Sequence, residues 1–212
     1  MTNLSRRGLI AGLTSIPAAT IFGRSAFAQE GEARRVPYEL VQDALALDGA
    51  AFVGSRQPDV VIVEFFDYNC PFCRQSAQDM DVLLGTDDRL GYVLVNYAIL
   101  GEPSVEATRV ALAYSGMYGH EKYAAFHMKL YTYRGIKNGQ RALDTAVELG
   151  ADGEKLLAFA DSDAVTKAMQ DAVTVGNALN LHATPSYLVG PWAFDGNMPL
   201  EHKMRIVQDL RS

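Results

Sequence analysis

The chain has 212 residues, 49% of them hydrophobic and 21% charged, with a formal net charge of −6. This length and balance favour a single globular domain, with room for an inserted subdomain, that buries a core without metals or several disulfides. The negative charge gives no electrostatic reason to bind nucleic acid, and two cysteines are too few for a disulfide-built scaffold.

The first 28 residues read as a cleaved export signal. Arg6 and Arg7 form a basic start, residues 8–22 are uncharged and mildly apolar, and Ala26-Phe27-Ala28 offers small residues before a cut at Gln29. The apolar stretch is short for a membrane span and is broken by Pro17. Ser5-Arg6-Arg7-Gly8-Leu9 resembles a twin-arginine signal, the general secretory route being the alternative. Either route ends outside the cytoplasm, and a periplasmic location is expected. Loss of residues 1–28 removes three arginines and no acid, which takes the formal charge to −9.

Residues 29–58 are expected to form an N-terminal extension: a polar start, a helix over Tyr38–Leu47 stopped at Asp48-Gly49, and a turn at Gln57-Pro58-Asp59. Val60-Val61-Ile62-Val63-Glu64-Phe65-Phe66 is short, apolar and β-branched, like a strand covered on both faces. Asp67-Tyr68-Asn69 leaves that strand, and Pro71 opens a helix that runs to Gly85. A second strand is expected at Tyr92–Tyr97. From about 103 to 180 the period is helical, with helices expected from Ser104 to Gly119, over Glu121–Tyr133, over Arg141–Leu149, and across 153–160 and 163–179. Pro185–Gly190 reads as a strand with proline at its first residue, Ala193-Phe194 as a short edge strand, and Pro199–Leu210 as a closing helix.

The chemistry concentrates at Cys70-Pro71-Phe72-Cys73. The loop between the two cysteines is too small for a disulfide to stabilise the fold much, so the pair is a poor staple and a good redox switch. Cys70 falls at a helix N-terminus, where unpaired N–H groups and the helix dipole favour a thiolate; Cys73, one turn on, can resolve a mixed disulfide. Pro71 stiffens the loop and Phe72 brings no charge. Glu64, six residues before Cys70, is either an exposed strand-edge acid or a buried proton shuttle that helps Cys73 lose its proton. His182 stands three residues before Pro185, although a loop histidine is more often simply solvated. The tyrosines at 114, 118, 123, 131 and 133 have largely helical spacing and read as core, with a substrate groove second. Two cysteines make half a structural zinc site and the four histidines have no matching spacing, so no metal is expected.

Val63–Arg74, with its Glu64 and Cys-Pro-Phe-Cys, and Ala183-Thr184-Pro185-Ser186 through Gly190 resemble the two signature segments of the DsbA-like thiol–disulfide oxidoreductases. The 112 positions from Cys73 to Pro185 suit a thioredoxin fold with an inserted helical subdomain. The resemblance implies an α/β fold with the thioredoxin domain at 59–100 and 181–212 and the helical insertion at 101–180. It implies Cys70 as nucleophile, Cys73 as resolving thiol, Glu64 as buried acid, and a cis Pro185 that sets the Thr184 backbone beside the disulfide. It also implies no bound cofactor, reduced exported proteins as substrates, and a membrane redox partner of the DsbB or DsbD type. Phe72 stands where the most oxidising members have histidine, which leaves open an oxidant or, as the alternative, a reductase or isomerase of the ScsC or DsbC kind. A copper- or zinc-binding envelope protein is a more distant alternative. The short stretch between signal and first strand favours a monomer.

Overall fold

The computed structural model describes residues 33–212, so the export signal expected over 1–28 lies outside the described residues. In chain order the elements are β1 (Arg34–Arg35), α1 (Tyr38–Leu45), β2 (Ala51–Gly54), β3 (Val60–Phe66), α2 (Pro71–Thr86), β4 (Leu90–Asn96), α3 (Glu102–Tyr118), α4 (His120–Thr132), α5 (Gly139–Glu148), α6 (Gly153–Ala160), α7 (Asp163–Ala178), β5 (Ser186–Val189), β6 (Trp192–Phe194) and α8 (Leu200–Asp209). The strands form one mixed sheet in the order β1-β6-β5-β3-β4-β2. Five helices, α3 to α7, intervene between β4 and β5, and α3 packs against each of the other four. This is a thioredoxin-like α/β fold with added helices.

The centre of the sheet follows from the β-branched run at 60–66. β3 pairs in parallel with β4, from Val60↔Leu90 to Phe66↔Asn96, and antiparallel with β5, from Ile62↔Val189 to Phe65↔Ser186. Side chains alternate across a strand, so the register divides the core in two. Ile62 and Phe66 join Tyr92, Leu94 and Tyr187 against α2, whereas Val63 and Phe65 join Val93, Val95 and Leu188 against α1 and α7. Glu64, two residues from Ile62 and from Phe66, therefore faces the α2 side. Several helix starts carry the expected chemistry: Asn138, Asp152 and Ser162 each accept a hydrogen bond from a backbone N–H in the first turn of α5, α6 and α7.

Within residues 33–58 two short segments join the sheet. Ala51–Gly54 pairs antiparallel with β4, from Ala51↔Leu94 to Gly54↔Gly91, and Arg34–Arg35 pairs with β6. Four residues are too few to show a period-two pattern, and their partner lies some forty positions away in sequence. Gly54 closes this pairing: its φ is +93°, and a Cβ there would lie 2.6 Å from the Leu90 carbonyl oxygen. β1 also covers β6, which is therefore not the edge strand that the sequence suggests. The closing helix begins at Leu200 and the third helix at Glu102, shifts of a residue or two at frayed ends. Among the described residues no helix is long and apolar enough to cross a membrane.

Candidate active site

The loop that follows β3 is built around one buried carboxylate. Asp67 accepts hydrogen bonds from the N–H groups of Asn69 (2.8 Å), Ile99 (3.0 Å) and Leu100 (3.0 Å) and from the Ser104 hydroxyl (2.6 Å). The Asn69 side chain donates to Ser104 Oγ and to the Lys137 carbonyl, each at 2.9 Å, and accepts from the Lys137 N–H at 2.8 Å. The Tyr131 hydroxyl donates to the Asp67 carbonyl at 3.1 Å. A strand exit, the start of α3, α4 and the segment before α5 are thereby tied to one turn, closed by Cys70 N–H to Asp67 O at 3.1 Å.

That turn delivers Cys70 as the N-cap of α2, with an extended backbone (φ −76°, ψ 123°) and Pro71 at the first helical position. Proline is well suited there, because the N–H it lacks would have no helical partner. Cys70 and Cys73 are both free thiols. The Cys70 thiol is held down at about 6, chiefly by a hydrogen bond from the Cys73 thiol, with the Thr184 side chain and the backbone N–H groups of Cys73 and Phe72 adding to it against partial burial. Cys73 is driven the other way, well above its ordinary range, first by burial and then by its neighbour Cys70. The two sulfurs thus have opposite tasks: one is a thiolate at neutral pH, the other keeps its proton.

Thr184 and Pro185 lie against this pair, joined by a cis peptide bond. The protonated Cys70 thiol donates to the Thr184 carbonyl at 2.9 Å, a contact that ionisation ends. The Thr184 hydroxyl is buried and otherwise unpaired, and it is placed to favour the thiolate. Phe72 points outward and is 49% exposed.

Glu64 lies on the α2 side of the sheet and is buried, so it is not a strand-edge acid. Burial pushes its carboxyl up, opposed by Lys203 and by hydrogen bonds from Tyr92 and Ser76. The Tyr92 hydroxyl donates to Glu64 Oε2 at 2.5 Å. His182 is exposed, its ring nitrogen 3.0 Å from Asn180 Oδ1. Tyr114, Tyr123 and Tyr131 are core, and Tyr118 and Tyr133 are half-buried around it. Among the described residues no group of three or more histidine, cysteine or acidic side chains converges as a metal site would require.

Sequence reasoning missed Asp67, Asn69, Ser104 and Tyr92. The Asp67-x-Asn69 spacing does carry a signal, since an aspartate that accepts from the N–H two residues on is a recognisable turn. Ser104 and Tyr92 have none, because each becomes polar core only through a partner on another element.

A family model described as thioredoxin matches residues 47–209. Among solved structures, a thioredoxin-like oxidoreductase from Silicibacter pomeroyi is 31% identical, covering 80% of this chain and 96% of its own, with a TM-score of 0.75. The thiol-disulfide exchange protein alpha-DsbA2 from Wolbachia pipientis is 23% identical, covering 81% and 92%, with a TM-score of 0.74. BdbD from Bacillus subtilis is 20% identical, covering 79% and 96%, with a TM-score of 0.69. No curated protein matches the chain.

Proposed function

The chain belongs to the thioredoxin family and resembles a thioredoxin-like oxidoreductase, and from that premise we propose that it is a DsbA-like thiol–disulfide oxidoreductase, an exported oxidant that passes the Cys70–Cys73 disulfide to other exported proteins. The observation that carries the direction is the Cys70 thiol at about 6. A thiol lowered in this way favours the dithiol form over an unshifted pair, which makes the disulfide readier to accept electrons. A substrate thiolate attacks Cys70, Cys73 leaves, and a second substrate thiol releases the product with its new disulfide. A membrane partner of the DsbB type then restores the pair.

Protein substrates suit the surroundings. Phe72, Leu100 and Ile136 are exposed apolar side chains next to the residues that Asp67 and Asn69 tie together. Exposed apolar surface beside a reactive group is suited to an unfolded chain. The periplasm is the compartment that agrees with the export signal and with a working disulfide.

One observation favours the reverse flow. Phe72 puts no positive charge or donor side chain next to Cys70, so the thiolate relies on Cys73, Thr184 and the helix start. A pair poised lower would serve as a reductase or isomerase kept reduced by a DsbD-type partner. Equilibration with glutathione decides between them: a reduction potential near about −120 mV supports the oxidant, and one near about −270 mV overturns it.

A further inference from the structure

A buried polar cluster continues inward from Cys73. Cys73, Ser76 and Asp79 follow one another at three-residue spacing on α2 and are all buried. Lys203 of α8, its side chain fully buried, reaches them from the far end of the chain: its ammonium donates to Asp79 Oδ2 at 2.9 Å and to Ser76 Oγ at 3.0 Å. The ammonium also lies 4.8 Å from the centre of the Tyr187 ring, whose hydroxyl is 2.8 Å from Ser76 Oγ. Ser76 is in turn a hydrogen-bonding neighbour of Glu64.

The charges in this cluster do not balance. The groups that face Glu64 are Tyr92 of β4, Tyr187 of β5, Cys73, Ser76 and Asp79 of α2, Tyr131 of α4 and Lys203 of α8. Of these Lys203 is the cation, against two carboxylates. One ammonium cannot neutralise both in a buried site, so the cluster is uncharged only when one carboxyl holds a proton. Asp79 makes the direct ion pair, which leaves that proton to Glu64.

We propose that Lys203 is a positioning residue for the Cys73 half of the exchange and that Asp79 opposes it: one buried ammonium, shared by two carboxylates, sets how readily Glu64 takes the Cys73 proton. This rests on the exchange reading above. In the step concerned the Glu64 carboxylate removes the proton from the Cys73 thiol. The Cys73 sulfur then attacks Cys70, the bond from Cys70 to the substrate sulfur breaks, and the substrate leaves as a thiolate with the electron pair. The substrate is reduced and the Cys70–Cys73 bond forms. In the reverse direction Glu64 gives the proton to Cys73 as it leaves.

The two residues pull Glu64 in opposite directions, and no shared structural role does that. The test is rapid mixing of the reduced full chain with a peptide disulfide across a range of pH. The fast phase reports attack by Cys70 and the following phase reports resolution by Cys73. Lys203→Met is expected to move the midpoint of the second phase up by about one pH unit, and Asp79→Asn to move it down. Lys203→Met/Asp79→Asn is expected to lie between, above Asp79→Asn. This comparison stands even where the single Lys203 variant, with Asp79 left unpaired, does not fold. Glu64→Gln is expected to abolish the midpoint and the response to Lys203→Met with it. Midpoints that stay in place or move the same way in both single variants overturn the inference while leaving the exchange reading intact. A first phase with no midpoint near 6 overturns the exchange reading and the inference together.

Discussion

Cys70 Sγ lies 2.9 Å from the carbonyl oxygen of Thr184, a residue 114 positions away in sequence. The thiol that starts a helix and the backbone of the loop before β5 thus share one small volume. On the proposed function, an extended substrate segment that reaches the sulfur also meets the Thr184 backbone. Reactivity and peptide recognition are in this way one geometric problem.

The Cys70 titration should be directly visible. Alkylation by a small reagent is expected to show a midpoint at about 6, and Cys70→Ser should abolish both this reactivity and disulfide exchange. Cys73→Ala, which removes the principal donor to the thiolate, should move the midpoint upward. An unmoved midpoint would show that Cys73 does not hold the thiolate.

The same shift has a consequence for stability. The folded thiol titrates below its unfolded value of 9.0, so the thiolate's contribution is fully present above that value and is lost as pH falls through about 6. Cys73, raised instead, works against the reduced fold at still higher pH. The reduced protein should therefore gain on the oxidised one between about pH 6 and 9. Urea unfolding of both forms across that window measures it, and a reduced form that loses stability relative to the oxidised one as pH rises would contradict the assignment.

Glu64 behaves in the opposite sense. Its folded carboxyl is raised by burial, so the fold binds that proton more tightly than the unfolded chain does and loses stability as pH rises through the folded value. Glu64→Gln removes this loss. The variant should be more stable than the parent at pH 8, and the difference should fade on acidification. Its exchange should nonetheless be slower. A variant that is both less stable and equally fast would sink the proton-shuttle role.

His127 gives a second pH signature, away from the cysteines. It is enclosed by Phe66, Tyr68 and Tyr131, and burial lowers its titration to about 3 from 6.5. The unfolded chain takes up that proton first, so stability should fall as pH drops from 6.5 towards 3, by about 1.4 kcal/mol per unit from this residue. His127→Phe keeps the aromatic packing and should flatten the decline. Equal acid sensitivity in parent and variant would place its origin elsewhere.

Asp67 is the mechanical centre of the active-site loop. Asp67→Ala leaves three N–H groups and the Ser104 hydroxyl without an acceptor. A loss of roughly 3 kcal/mol or more in unfolding free energy is expected. In the folded fraction Cys70 alkylation should lose its sharp midpoint, because the turn that sets Cys70 at the helix start is no longer held.

The local chemistry was legible in the sequence. The β-branched run at 60–66, proline just after Cys70, the helical periods at 103–180 and the Thr184-Pro185 dipeptide each declare their element within a few residues. The pairing of two sulfurs three positions apart and the acid six residues upstream need no tertiary information to be noticed. What only the tertiary structure decided is everything that depends on partners far apart in the chain. Ala51–Gly54 becomes a strand because β4 offers it an edge, and Asp67 becomes an anchor because α3 brings Ser104 to it. Lys203 looks like an ordinary charge on a closing helix until α8 sets it against Ser76 and Asp79, 127 and 124 positions away. The reason is physical: a titrating group responds to burial and to the charges around it, and neither is a property of neighbouring residues in sequence. The sequence alone determined which atoms can react; the packing of α2, β3 and α8 decided which of them hold a proton.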